Sequence, residues 1–375
     1  MTGKERCLAV LKGEIPDRVP ISTYELVGWD RDAWENREPS YARLMDVIRR
    51  DTDCLYRWSA AWPERGVGYF LSASEDVEAE RKTRRDGADE KTLHVVHTPK
   101  GDLTSRTMAR RGVHTTWVEE HFVKTGEDVE RVLSVPYAPR EPDCSSLAVA
   151  RERVGERGIV KTSIADALCC VCELFEFGEF TVWALTERAT VRRLLDAFHV
   201  RVMDQLRAQL EAGVGPLWRV VGAEYATPPY MPPELFAECV LPYDRDIVDL
   251  IHRYGGYARI HCHGKISRVL DMIAATGADA IDPVEPPPQG DIDLAEAKRR
   301  IGERMTIMGN LELAMLETAT AEQVRAEVGR SMEAGKPGGR FVIMPTAAPI
   351  DVPLKRRTEE NYLAFIETAR ELGAY

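Results

Sequence analysis

Apolar positions recur along this chain in two alternating rhythms. Short apolar runs at 19–24, 54–58, 158–165, 217–224, 258–263, 279–284, 305–309 and 340–345 read as strands, because brief runs bounded by turn residues suit strands buried on both faces. Between them, apolar residues three and four apart mark helices over 4–12, 40–50, 189–213, 233–254, 265–276, 293–302, 321–335 and 356–372. Two shorter helical patterns lie at 126–133 and 145–156. From about 76 to 124 the rhythm changes. This stretch is rich in charge, Thr, Val and His, with turn signals at Asp86-Gly87 and Lys100-Gly101-Asp102, and it reads as a β-hairpin excursion. Eight strands alternating with helices predict an α/β fold with parallel pairing. Eight such units predict a single (β/α)8 TIM barrel over residues 1–375, with the excursion inserted after the second strand. A doubly wound open sheet is the other fold the alternation allows. No Gly-x-Gly-x-x-Gly or Walker motif follows any strand, so its nucleotide-binding variants lose support.

Composition narrows the class. Hydrophobic residues make up 44% of 375 positions, enough for a large core. A net charge of -11, with no basic stripe and no interleaved aromatics, argues against nucleic-acid binding. No apolar run reaches the roughly 18–20 residues of a membrane span, and the first residues lack the apolar centre of a signal peptide. A cytoplasmic protein is therefore expected. Cys169, Cys170 and Cys172 stand too close together to pair with one another, and their apolar neighbours read as packed helix in a reduced compartment.

Candidate chemistry gathers where strands hand over to helices. In Ala258-Arg259-Ile260-His261-Cys262-His263-Gly264, residues two apart share a side, so His261 and His263 face one way and Cys262 the other. Two imidazoles at a strand's carboxyl end suit a metal; the plainer reading is a pair of hydrogen-bonded histidines. Glu224, ending the neighbouring strand, would complete a set of two nitrogens and one oxygen with a fourth position open. The competing reading pairs it with Arg18 or Arg57. Asp282 and Glu285 fit three roles: orienting the histidines, acid–base catalysis, or shaping the turn before Pro286-Pro287-Pro288. Tyr24, Glu25, Trp29, Tyr225, Asn310 and Thr346 also fall at or near strand ends and are candidate substrate contacts, as is Asp166 a candidate polar group. His94, His97, His114 and His121 are loosely spaced and read as surface or hairpin residues.

Several segments together carry a resemblance. They are Thr2-Gly3-Lys4-Glu5-Arg6 through Pro16-Asp17-Arg18-Val19-Pro20, Pro233-Glu234-Leu235-Phe236 with Leu241-Pro242-Tyr243, His261-Cys262-His263-Gly264, Gly277-Ala278-Asp279-Ala280, Met308-Gly309-Asn310-Leu311 and Glu360-Asn361-Tyr362. Taken together, the chain resembles the uroporphyrinogen decarboxylase superfamily, which includes corrinoid-dependent methyltransferases. The resemblance implies one (β/α)8 barrel with its site at the carboxyl-end mouth. True uroporphyrinogen decarboxylases carry an arginine-rich segment after the Arg-Val-Pro opening; here Ile21–Trp29 has an acid and aromatics instead, which disfavours a polyanionic tetrapyrrole. The family's thiol-directed methyltransferases bind zinc through His-x-Cys and a distant Cys. His261 matches the first ligand, His263 replaces the first Cys, and the distant Cys falls near Thr346, so both sulfurs are absent.

A zinc site built from Glu224, His261 and His263 is harder than a thiolate site and suits an ether or amine leaving group. The resemblance thus implies a methyltransferase that demethylates a small methylated substrate, such as a methoxylated aromatic. The methyl would pass to a corrinoid on a partner protein, since the chain has no Asp-x-His-x-x-Gly of its own. A decarboxylase or lyase on the same barrel is the alternative, with Glu224 and Asp282 as acid–base groups and the histidines holding a carboxylate. A non-catalytic carrier is the third reading. The excursion would serve as a homodimer contact, a lid or a docking surface for the corrinoid protein.

Overall fold

A computed structural model of the chain describes residues 1–62, 77–113 and 115–375. Strand β1 (Cys54–Arg57) is followed by β2 (Glu78–Asp86), β3 (Asp89–Thr98), β4 (Gly101–Arg110) and β5 (Thr116–Glu120). The later strands are β6 (Gly158–Ala165), β7 (Leu217–Val221), β8 (Tyr257–Cys262), β9 (Ala280–Pro283), β10 (Thr306–Leu311) and β11 (Phe341–Pro345). Seven of them, in the order β1-β6-β7-β8-β9-β10-β11, form one curled parallel sheet, a half-barrel. Helices on its outer face connect them.

The first expected strand, 19–24, does not form as a strand. Instead Ile21 makes a single parallel bridge to Ile343 of β11. The Ile343 N–H donates to the Pro20 carbonyl (3.1 Å) and the Ser22 N–H to the Ile343 carbonyl (3.0 Å), while the Asp53 N–H, just before β1, donates to the Ile21 carbonyl (2.8 Å). The segment thus touches both edges of the sheet. Pro20 has no N–H and cannot extend the ladder. Asp53 anchors the segment: it accepts the Ile21 N–H at 2.9 Å and pairs with Arg6 (2.5 Å) and Arg18 (2.8 Å). The Gly-Lys-Glu-Arg and Asp-Arg-Val-Pro openings therefore do structural work in this chain.

Where a hairpin excursion was expected, β2 to β5 make a separate four-stranded antiparallel sheet. Every residue of β2 is exposed, and its charges blunt a free sheet edge. Val96 and Leu103 are buried on β3 and β4, and the helix Gly126–Ser134 packs against those strands. Bridges from Val113 to Asp351 and from Val123 to Phe175 tie the flanks of this sheet to the loop after β11 and to the turn after the helix Ala167–Cys172.

The expected helix at 233–254 divides into Pro233–Cys239 and Leu241–Arg253. Pro242 lacks a donor and belongs in the first turn of a new helix. The pattern at 265–276 yields helix only over Leu270–Ala274. At the amino end of the sheet, the helix Gly3–Lys12 packs Cys7, Val10 and Leu11 onto Leu55, Ile159, Leu217, Ala280, Met308 and Val342. Burying Val10 and Leu11 contributes roughly 1.5–3 kcal/mol each. This apolar plug closes one end of the interior, so polar chemistry is left to the other. Among the described residues no helix is long and apolar enough to cross a membrane.

Candidate metal centre

Strand β8 builds the site. Alternation puts Arg259 and His261 on its inner side, with His263 one residue past its end. His261 Nδ1 lies 2.9 Å from Asp282 Oδ2, and His263 Nδ1 lies 2.8 Å from Glu285 Oε1. With Nδ1 engaged, each ring has Nε2 left for another partner. His261 Nε2 is 3.6 Å from Glu224 Oε2, and the two rings stand 4.6 Å apart at 87°. One donor atom from each of Glu224, His261 and His263 lies within 4.8 Å of the others. Among the described residues this is the one such cluster of three metal-ligating groups. Two neutral nitrogens, one carboxylate oxygen and a carboxylate behind each imidazole are the donor set and support that a catalytic zinc uses. The residues present therefore fit zinc.

The backbone explains how two carboxylates reach two histidines. In an unbroken strand Asp282 and Glu285 would point to opposite sides. Val284 between them has φ +51°, a left-handed conformation rare for a β-branched residue and costing on the order of 1–3 kcal/mol. That turn re-aims Glu285 at His263 while Asp282 stays on His261. Glu285 also accepts the Gly264 N–H at 2.7 Å. Glu224 is not on a strand end; it sits in the short turn Ala223–Ala226 and accepts the His263 N–H at 3.4 Å. The competing ion pairs do not form: Arg18 holds Asp53, and Arg57 holds Glu25 at 2.6 Å.

Burial pulls the His261 imidazolium down and outweighs the opposing Asp282, so the ring favours its neutral form. At His263 burial acts the same way, but the Glu285 hydrogen bond wins and holds the ring above its ordinary value. Burial opposes ionisation of Asp282, yet Arg259 and His261 keep it well below the usual carboxylate range. Glu285 is likewise held low by His263 against its burial.

A charged layer lies beneath, and no motif pointed to it. Arg259, 1% exposed, stands 2.8 Å from Asp282. Arg219 donates to Glu25 (3.0 Å) and to the Tyr24 hydroxyl (2.8 Å), and Lys161 is 3.6 Å from Glu25. Burial disfavours the Glu25 charge, but Lys161, Arg219 and Arg57 hold its pKa at about 2. The signal available was a lone basic residue inside an apolar strand; Arg259 even falls two positions before His261.

Glu224, His261, His263, Asp282 and Glu285 thus come together. Tyr24 lies at their edge, its ring 6.3 Å from His261. Tyr225 packs on Phe177 at 6.0 Å. Thr346 Oγ1 accepts the Leu313 N–H (3.2 Å) and donates to Glu312 (3.4 Å). Two candidates lie apart from the cluster: Trp29 is buried in the hydrophobic core, and Asn310 accepts from Ser331 on the helix Ala321–Gly335. Asp166 caps the helix Ala167–Cys172 through the Cys169 N–H (2.6 Å). Burial pushes its pKa up to about 7 beside Asp244. The helix it caps holds Cys169, Cys170 and Cys172, all buried and free. His94, His97 and His121 bond to Thr107, Asp102 and the Glu173 carbonyl; His114 lies outside the described residues.

Comparison with known proteins completes the picture. "Uroporphyrinogen decarboxylase" of Pseudoalteromonas translucida is 33% identical over 165 residues, covering 42% of each chain. That of Psychromonas ingrahamii is 29% identical over 212 residues, covering 52% of each. The chain thus spans about half the length of the curated relatives it matches. A solved "methyltransferase from Methanosarcina mazei" superposes over 99% of both chains with a TM-score of 0.64 at 16% identity, a likeness of fold. The family model described as uroporphyrinogen decarboxylase (URO-D) matches residues 119–372. Spanning well over half of the sequence and containing the whole Glu224–His261–His263 cluster, that match shows that the chain belongs to the uroporphyrinogen decarboxylase family.

Proposed function

We propose that the protein is a zinc-dependent methyltransferase that takes the methyl group from a small methylated substrate, a methoxylated aromatic being the first to try, and passes it to a corrinoid on a partner protein. The observation that carries this reading is the close approach of Glu224, His261 and His263, each imidazole tethered through Nδ1 to its own carboxylate. Zinc held by these three side chains would supply a Lewis acid that draws charge from the heteroatom bearing the methyl group. The remaining work belongs to the chain. Asp282 and Glu285 fix the tautomer and aim of the two rings. Tyr24 and Tyr225 offer aromatic surface at the edge of the site. The relation in fold to a methyltransferase supports the same reading.

Within this reading the chain is one barrel domain with an insertion, and the insertion's antiparallel sheet is the proposed docking or dimer surface. A cytoplasmic setting is proposed as well, supported by eight free cysteines.

A carboxy-lyase on a small carboxylated substrate is the second reading, favoured by the name of the curated relatives and by two inward-facing cations, the buried Arg259 and the half-buried Arg219. Elemental analysis of protein purified without a metal-affinity column separates the two. About one zinc per chain, with methyl transfer from an aryl methyl ether to cob(I)alamin, supports the methyltransferase. Full decarboxylation activity after chelation would refute it.

A further inference from the structure

We propose that Glu312 is the general acid of this site, the group that delivers a proton to the heteroatom from which the methyl group departs. The inference rests on the demethylation proposed above. Among the described residues, the three carboxylates that contact the histidines are already engaged. Asp282 is held by Arg259 and His261, Glu285 accepts from both His263 and Gly264, and Glu224 faces the imidazoles as the third ligand. Asp166 gives one oxygen to the cap of its helix and lies on the far side of Glu224, toward Asp244.

Glu312 differs in geometry. It follows β10 directly, at the carboxyl end of the sheet, and begins the short helix Leu313–Thr318. Its Oε2 accepts from the Thr346 hydroxyl at 3.4 Å, and that hydroxyl is turned toward it because its oxygen accepts the Leu313 N–H at 3.2 Å. Its Oε1 is shielded from solvent and has no hydrogen-bond partner among the described residues. A bare carboxylate oxygen is costly to bury; a protonated one presents a donor to whatever enters. The Thr346 hydroxyl beyond β11 is its hydrogen-bonding neighbour, and the charged groups that act on it through space are the Glu285 carboxylate beyond β9 and the His263 imidazole beyond β8. Burial and then Glu285 push its pKa up to about 7, against Thr346 and His263. An acid poised near the working pH is the most effective proton donor.

The step balances. The methyl–oxygen bond breaks and its electron pair stays on oxygen, while the methyl goes to the nucleophilic reduced corrinoid. The O–H bond of Glu312 breaks and a new O–H bond forms on the departing oxygen. Glu312 is left as a carboxylate and regains a proton from water once the phenol leaves.

The experiment compares the zinc-loaded protein with its Glu312→Gln variant on anisole and 4-nitroanisole, with cob(I)alamin as acceptor. Anisole leaves as a basic phenolate that needs the proton; nitrophenolate does not. The expected result is a loss of about 10²-fold in kcat on anisole, a much smaller loss on 4-nitroanisole, unchanged zinc content, and disappearance of the wild type's fall in rate above neutral pH. Infrared difference spectra across neutral pH, taken without turnover, should show a protonated carboxyl band that Glu312→Gln removes. Equal losses on both ethers with an unchanged pH profile, or absence of that band, would overturn the assignment and leave the methyltransferase reading standing. Failure of the wild type to demethylate either ether would overturn both.

Discussion

Replacing Asp282 by alanine probes the layer that supports the site. Asp282 is wholly buried, 2.8 Å from the equally buried Arg259 and 2.9 Å from His261 Nδ1. Alanine would strand the Arg259 guanidinium, whose hydrogen bond among the described residues goes only to the weak Met308 sulfur at 3.7 Å. Breaking a buried pair by removing one partner costs roughly 3–5 kcal/mol. Of a total stability of about 5–15 kcal/mol, that is a large share. The double variant Arg259→Met with Asp282→Asn removes both charges and keeps an acceptor for the His261 N–H. It should cost clearly less than Asp282→Ala alone, because no charge is left without a partner. Urea unfolding followed by circular dichroism measures both, and midpoints compare directly if the m-values agree. The reasoning fails if Asp282→Ala costs less than about 1 kcal/mol. It also fails if the double variant loses as much as Asp282→Asn and Arg259→Met added together, since contacting partners should not be additive.

Other consequences follow from the same geometry. His263→Ala should lower bound zinc by at least about tenfold while far-ultraviolet circular dichroism is unchanged; equal metal content would remove His263 from the ligand set. Asp282→Asn should weaken zinc by about 10–100-fold through His261, measured by competition with a chromogenic chelator; unchanged affinity would show that the aim of the ring does not depend on Asp282. Gly222→Ala should destabilise the fold by more than about 2 kcal/mol, because φ at this position is +144° and a Cβ would meet Asp166 Oδ1 at 1.9 Å; a thermal midpoint equal to the wild type's would contradict this. Burial pulls the Lys161 ammonium from 10.5 down to about 7. Between those two values the unfolded chain holds a proton that the folded chain does not, so unfolding takes one up and the penalty of burying Lys161 fades as pH rises. Against Lys161→Met, the wild type should therefore gain relative stability from pH 7 towards pH 10.5; urea midpoints that differ by the same amount at both ends of that window would refute it.

Some of this protein is a local property of its residues. Periodicity located the strands β1 and β6 to β11 and most of the helices, because burial on one face or on both leaves a repeat that any window of sequence records. Strand alternation alone put His261 and His263 on a common side and Cys262 on the other. What a local repeat cannot record is distance between strands. Glu224 reaches the histidines from a turn after β7, and register between neighbouring strands decided that approach. The left-handed Val284 divided Asp282 and Glu285 between two rings, against every preference of a β-branched residue. Pro20 reads as part of a strand by its apolar neighbours, yet its missing donor reduced that strand to a bridge. Lys161, Arg219 and Arg259 look like breaks in apolar strands; only the closing of the interior around Glu25 and Asp282 made them partners. Glu312 became a candidate acid for the same reason, since a carboxyl's character is set by the groups that fold against it.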